Sequence, residues 1–146
     1  MRKTAFIFLL ICAVAGGAQK SLEELRAKAE KSSGGEQARL YAQIADLLVA
    51  QADQEFTQGD SARAHATVQE ALENAGKARD LAIASHDKRK EVEILLRNTQ
   101  RHLENVKRTL ALVDRPPMDE AEKKLANLRQ DLLDAMFAPK KKKEGP

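Results

Sequence analysis

Residues 55–72 read EFTQGDSARAHATVQEAL, and this stretch decides the fold expected for the chain. The pair Gly59-Asp60 marks a turn, because glycine adopts a positive φ without strain and aspartate favours the start of a helix. The stretch therefore predicts a tight antiparallel helix hairpin over residues 36–76. After the turn, small residues recur at steps of four and three, which places them along one helix face: Ala64, Val68 and Ala71.

Apolar residues on both sides of this turn keep a helical spacing. Because the stretches on either side of residue 86 share a heptad rhythm, we expect one long central helix over about residues 61–113. A break near Ser85-His86-Asp87 into two helices is the alternative. Before the turn, one face holds Leu40, Tyr41, Ile44, Leu47, Leu48, Ala52 and Phe56. After the turn, the seam holds Ala64, Val68, Ala71, Ala75, Ala78, Ala82 and Ser85, then Val92, Leu96, Thr99, Leu103, Val106, Leu110 and Val113.

Turn and capping residues divide the rest of the chain. Ser21 and Glu24 have the spacing of a capping box, which predicts that a short first helix starts at Ser21. Residues 32–35 then supply a turn, and the prolines at 116–117 should end the long helix, so that the last helix starts near Asp119. No stretch alternates as a strand does. The expected fold is all-α, an up-and-down bundle of helical hairpins.

The residues around the Gly-Asp turn resemble a tetratricopeptide repeat. In that family an aromatic residue precedes the turn, and an alanine, a large residue and an Ala-Leu pair follow it. Here those positions are Phe56, Gly59, Asp60, Ala64, Val68, Ala71 and Leu72, with Leu48 and Ala52 upstream. The resemblance spans about residues 45–76, and Gly76 stands where the family has its closing proline. It implies a helical scaffold that binds peptides or proteins, while the same residues also suit any tight antiparallel hairpin.

The N-terminus has the pattern of a cleavable signal peptide. Arg2 and Lys3 precede an apolar run over residues 5–15, and small residues follow at 16–18. That run is about half the roughly 20 residues needed to cross a bilayer, so a signal peptide is favoured over a membrane anchor. We expect cleavage after Ala18 and a secreted or periplasmic protein. The predicted parts are a signal peptide (1–18), one helical domain (19–138) and a disordered basic tail (139–146).

Positive charge is concentrated at the two ends of the chain. The formal charge is +3, but residues 19–139 hold 19 basic and 21 acidic side chains. With aromatic residues at 3%, neither a basic face nor a base-stacking platform is expected for nucleic acid. The lysines of the tail are expected to attract an anionic membrane surface weakly. They are Lys140, Lys141, Lys142 and Lys143.

No residue pattern indicates catalysis or a bound cofactor or metal. The chain has no glycine-rich phosphate loop and no nucleophilic serine motif, and its one cysteine, Cys12, lies in the predicted signal peptide. The histidines His65, His86 and His102 lack the spacing that places two metal ligands on one helix face. We therefore expect no enzyme and no catalytic, cofactor-binding or metal-binding residues.

The leading function hypothesis is a non-catalytic protein-interaction or scaffold module. One chain would leave the heptad residues after residue 90 incompletely covered, so we expect an exposed interaction edge and a homodimer built on it. The alternative is a helical bundle of the cell envelope that binds a small ligand or a metal. The predicted edge consists of Val92, Leu96, Leu103, Val106, Leu110 and Val113.

Overall fold

Helices make up almost all of the chain that the computed structural model describes, which is residues 15–139, with side chains from Ser21 onward. This part of the chain contains no strand, so the predicted all-α class is confirmed. Its five helices are α1 (Ala15–Lys31), α2 (Gly34–Thr57), α3 (Ser61–Ser85), α4 (Arg89–Thr109) and α5 (Arg115–Phe137), with a short 3₁₀ turn at Leu112–Asp114.

Two antiparallel hairpins form the body of the fold. The α2–α3 hairpin turns at Gly59, whose φ of +82° suits glycine, and the Asp60 side chain accepts a hydrogen bond of 3.2 Å from the backbone N–H of Arg63. The second hairpin joins α4 to α5. In the stack, α2 packs on α4 and α3 packs on α5, while α1 packs along the outside of α2.

A seam of alanines holds α2 against α3. Because alanine carries a single methyl group, the two helix backbones can approach closely along this seam. The larger buried side chains belong to two core clusters, one that contains Leu48 and another that contains Leu96 and Leu132. The buried seam alanines are Ala38, Ala42, Ala45 and Ala52 of α2 with Ala64, Ala71, Ala75, Ala78 and Ala82 of α3.

The preferred prediction of one long helix over residues 61–113 is wrong, and its alternative is right. α3 ends at Ser85 and α4 begins at Arg89, because His86 and Lys88 adopt left-handed φ values of 56° and 57°. Arg89 stabilises the break by donating hydrogen bonds to the last carbonyls of α3. The apolar residues of α3 and α4 follow the same heptad spacing because each of these helices packs a buried face on α2.

Two predicted helix starts also need correction. Ser21 lies inside α1, which already begins at Ala15, so it is not the N-cap of the predicted capping box. The last helix, expected to start near Asp119, begins at Arg115. The prolines at 116–117 therefore lie in the first turn of α5 and do not end α4, which stops at Thr109. Proline is tolerated there because the first backbone N–H groups of a helix have no intrahelical acceptor.

Both predicted terminal segments lie largely outside the described residues. Of the predicted signal peptide, only residues 15–18 are described, and they form the start of α1. Of the predicted tail, only Pro139 is described. None of the helices in the described part of the chain is both long enough and apolar enough to span a bilayer.

Candidate functional site

The predicted interaction edge lies mostly inside the core. Five of its six residues are at most 8% exposed: Val92, Leu96, Leu103, Val106 and Leu110. Only Val113 is accessible, at 80% exposure, because it belongs to the 3₁₀ turn after α4. The prediction that one chain leaves this edge uncovered is therefore wrong, since α2 and α5 of the same chain cover it. A homodimer could form through this edge only if the fold first opened, because the residues of the edge are buried within one chain.

A shallow groove runs along the outside of the bundle between α1 and α2. It consists of two adjoining hollows of about 380 and 420 Å³ that share Leu25, Lys28 and Gln43. The hollow near the α1–α2 turn also contains Lys31, Ser32, Glu36, Arg39 and Leu40. The other hollow extends to Leu95 of α4 and also contains Ser21, Glu24, Asp46 and Leu47. We call these residues together the α1–α2 groove.

Charge changes sign along the α1–α2 groove. Glu24 and Asp46 lie in the hollow away from the turn, and the His102 ring contacts Asp46 at 3.4 Å. Lys31 and Arg39 lie in the hollow near the turn, where Arg39 binds Glu36 with its Nε 3.0 Å from the carboxylate. That hydrogen bond holds the pKa of Glu36 below its ordinary value, so this carboxylate is ionised at neutral pH. The groove thus offers one hollow in which acidic and apolar side chains lie together and another that holds more basic than acidic side chains.

Two ion clusters join α4 to α5 and are structural rather than acid–base sites. Burial raises the pKa of Glu93, but hydrogen bonds from Arg129 (2.7 Å) and Arg97 outweigh this effect and lower it overall. Lys107 lies 2.8 Å from Asp119 and 2.7 Å from Glu122, and the hydrogen bonds to these two carboxylates raise its pKa. Groups held in their charged forms in this way are poor proton donors or acceptors near neutral pH.

His65, Asp114 and Ser61 form a cluster at the end of the bundle near Gly59. The Ser61 hydroxyl donates to Asp114 Oδ2 and His65 Nε2 donates to Asp114 Oδ1, each at 3.2 Å. Phe56 packs edge-on against the His65 ring, with centroids 5.0 Å apart. The aspartate bonds both the hydroxyl and the ring, whereas a nucleophilic triad has the histidine in the central position. This arrangement ties α3 to the connection before α5.

The described residues contain no group of three or more His, Cys, Asp and Glu side chains arranged to hold a metal ion. His86 ends α3 in a left-handed conformation, and its Nδ1 accepts a hydrogen bond from Arg89. The other two histidines are the partners of Asp114 and Asp46 described above. Comparison of the chain with protein-family models, curated proteins and solved structures gives no match.

Sequence patterns alone did not single out the α1–α2 groove. Leu25, Leu47 and Leu95 each flank a buried helix face, and such half-buried residues do not stand out from core residues in the sequence. They meet only because α4 packs beside α2 and α1 lies on the opposite wall. One feature of the sequence could have indicated two of the groove residues: Leu47 and Leu95 each lie one position before a core residue, Leu48 and Leu96.

Proposed function

We propose that this protein is a non-catalytic, exported helical module that binds a partner protein in the α1–α2 groove. The observation that carries the proposal is the meeting of three half-buried leucines from three different helices in an open groove: Leu25, Leu47 and Leu95. Apolar surface that is exposed to solvent in the free protein is removed from water when a partner covers it, and this burial favours binding.

The partner that fits this groove is an amphipathic helix with charges of both signs. Helices bind in such grooves through apolar residues spaced three and four apart, and the three leucines supply the matching apolar surface. Cationic side chains of the partner would face Glu24 and Asp46, and anionic ones would face Lys28 and Lys31. Complementary charges of this kind fix the direction in which the helix lies.

Support for export comes from the N-terminal sequence. Arg2 and Lys3, the apolar run over residues 5–15 and the small residues at 16–18 have the order of a cleavable signal peptide, with cleavage after Ala18. Sequencing the N-terminus of secreted protein tests this part of the proposal. A first residue other than Gln19 would move the cleavage point, and retention of Met1 would contradict it.

Protein binding also agrees with the tetratricopeptide-like residues of the α2–α3 hairpin. The helices of this hairpin are, however, longer than those of a tetratricopeptide repeat. The two helices contain 24 and 25 residues, whereas a whole repeat of that family has about 34. The resemblance therefore covers only the half of the hairpin near Gly59. The proposal rests on the groove and not on kinship with that family.

The test selects helical peptides from a displayed library against the purified protein and maps their site by amide chemical-shift changes. We expect selected peptides to carry apolar residues at helical spacing, with the largest shifts at Leu25, Gln43, Leu47 and Leu95. Reversing the groove charges with Asp46→Lys or Lys28→Glu should weaken binding about tenfold, because each places like charges face to face.

Lys124→Glu provides the matched control, since Lys124 is exposed on α5 away from the groove. It should leave the affinity of the selected peptides unchanged. The proposal fails if selected peptides shift residues elsewhere, or if the control weakens binding as much as the groove variants do.

A further inference from the structure

The outward side of α4 carries charge of one sign along its length. The opposite side of this helix is buried and includes Leu96. At about 100° per residue, four basic side chains fall within about 40° of one another around the helix axis. They extend along about 27 Å of the helix, since each residue advances it by about 1.5 Å. We call them the α4 basic face: Lys90, Arg97, Arg101 and Arg108.

Most of this positive charge is not neutralised by neighbouring acids. Arg97 is the one member of the α4 basic face that forms an ion pair within the described residues, and its partner is the buried Glu93. The Arg97 side chain is still 43% exposed, and the other three members are exposed too. The nearby acids have other contacts, because Glu91 is bound to Lys88 at 3.1 Å and Glu104 accepts a hydrogen bond of 3.3 Å from a glutamine of α4.

The outward sides of the neighbouring helices carry both signs of charge. On α3, Glu73 and Asp80 flank Lys77, and all three residues are exposed. On α5, Lys123 is bound to Glu120 at 3.0 Å. Mixed charges of this kind keep a surface soluble without favouring one class of partner. A face of one sign attracts partners of the opposite sign, so the α4 basic face favours an anionic partner.

The side chains of α4 suit protein carboxylates better than a bilayer or a nucleic acid. Contact with a bilayer requires apolar groups that insert, and Ile94 is the only large apolar side chain that α4 exposes. Single-stranded nucleic acid is bound by stacking on aromatic rings, and α4 contains no Phe, Tyr or Trp. Three of the four cations are arginines, whose forked donors bind a carboxylate through two parallel hydrogen bonds.

The spacing of the four cations matches a second helix. Successive members of the α4 basic face are seven, four and seven residues apart. A helix that lies alongside α4 has the same rise per residue, so acidic residues at the same intervals reach all four cations. The intervals read the same from either end, and a parallel and an antiparallel helix therefore fit equally well.

We propose that the α4 basic face binds an acidic helix of a partner protein, with carboxylates opposite the four cations and an apolar residue against Ile94. Ile94 lies between Lys90 and Arg97 on the same side of the helix and is 40% exposed. This surface is separate from the α1–α2 groove, because none of its residues lines that groove. The inference therefore stands whether or not the groove binds a partner.

The test compares two synthetic helical peptides of identical composition, in which four glutamates stand among alanines and glutamines. In the matched peptide the glutamates have the intervals of the α4 basic face, and in the other they are spread evenly around the helix. The protein is the full chain with Lys140 to Lys143 replaced by glutamine, so that the tail does not attract either peptide. Fluorescence anisotropy at low salt should show about tenfold tighter binding of the matched peptide, because four aligned ion pairs each contribute about a twofold gain.

Two double variants of this protein locate the binding surface. Arg101→Gln with Arg108→Gln should weaken binding of the matched peptide about fourfold, since two of the four ion pairs are lost. Lys77→Gln with Lys124→Gln removes the same charge from exposed positions of α3 and α5, and should weaken binding less than about 1.5-fold. The largest amide chemical-shift changes on binding should lie in α4.

Three outcomes would overturn the proposal. Equal affinity for the two peptides would mean general attraction between opposite charges, without recognition of a helix. An equal loss of affinity in the two double variants would mean that binding is not located on α4. Binding of phosphatidylglycerol vesicles or of heparin that depends on Arg101 and Arg108, without binding of the matched peptide, would make this face a site for a bilayer or for an acidic polymer.

Discussion

At the scale of single residues, Arg89 forms hydrogen bonds to the carboxyl ends of two helices. Its guanidinium donates to the carbonyls of Ala82, Ile83 and Ala135, which closes the carboxyl end of α3 and binds that of α5. A cation at these ends also opposes the negative end of each helix dipole. One side chain thus connects the first hairpin to the second.

Replacing Arg89 with alanine should lower the free energy of unfolding by about 1–3 kcal/mol, because three carbonyls lose a charged donor. Arg89→Lys should recover less than half of the loss, since a single ammonium group cannot reach carbonyls on two helices with forked geometry. Urea unfolding measures both variants. The exposed Arg101→Ala should stay within about 0.5 kcal/mol of wild type, and an equal loss there would contradict this role for Arg89.

Glu93 should make stability depend on acid pH. Its pKa lies below the ordinary value of 4.5, so the ionised form stabilises the folded state above that pH. This contribution is lost as the pH falls through the lower folded-state pKa. Glu93→Gln should cost about 1–3 kcal/mol at neutral pH, because Arg97 and Arg129 lose their carboxylate.

The difference between wild type and Glu93→Gln should then shrink in unfolding curves recorded below pH 4.5. Glu73→Gln, on an exposed position of α3, is the control and should change stability by less than about 0.5 kcal/mol at every pH. A difference for Glu93→Gln that does not vary with pH would show that its loss comes from packing instead of charge.

At the scale of helices, the sequence predicted the turn between α2 and α3, which depends on local residues, and favoured the wrong alternative at the break between α3 and α4. Gly59-Asp60 ends α2 and begins α3 by turn geometry and capping alone, and both were predicted. The break between α3 and α4 depends on the α2 start at Gly34 and on the donors of Arg89. Heptad spacing reports that a face is buried, but it carries no information on which helix covers it.

Two glycines should respond in opposite directions to the same substitution. A Cβ on Gly35 would lie 2.7 Å from Lys88 Cγ and 2.5 Å from Asp87 Oδ2, so Gly35→Ala should cost about 1–3 kcal/mol. Gly76 lies inside α3, and no atom beyond its chain neighbours and its own helix backbone lies within 4 Å of such a Cβ, so Gly76→Ala should stabilise by about 0.5–1 kcal/mol.

Thermal unfolding of the two alanine variants measures this contrast. Movement of both melting temperatures in the same direction would contradict the close approach of α2 to the α3–α4 connection. The contrast also tests the helix break itself, since a continuous helix through residues 86–88 would not place Asp87 and Lys88 against Gly35.

At the scale of the whole molecule, α1 is the helix with the fewest neighbours. It packs mainly on α2 through the buried Leu22 and Ala29, and an ion pair between Arg26 and Glu70 joins it to α3. Leu22 and Ala29 are the only described residues of α1 in the core, and the four helices of the two hairpins supply the rest. Because α1 forms one wall of the α1–α2 groove, its position decides whether the proposed binding site exists.

Leu22→Ala should loosen α1 without unfolding the hairpins. Loss of a buried leucine side chain costs about 2–3 kcal/mol, and here this loss falls on the docking of one peripheral helix. Amide hydrogen exchange in α1 should become about tenfold faster or more, with α5 amides unchanged. Equal acceleration in α5 would mean that α1 unfolds only together with the bundle.

The alanine seam between α2 and α3 has a thermal consequence. The heat capacity of unfolding rises with the apolar area exposed, by about 0.45 cal/mol/K per Å². Each seam alanine exposes a single methyl group, so this hairpin contributes less heat capacity per residue than a leucine-rich one of equal length. The enthalpy of unfolding should then change less with temperature than in a protein with a leucine-rich hairpin, and the stability curve should be broader. A modest maximum stability can therefore persist over a wide range of warm and cold conditions.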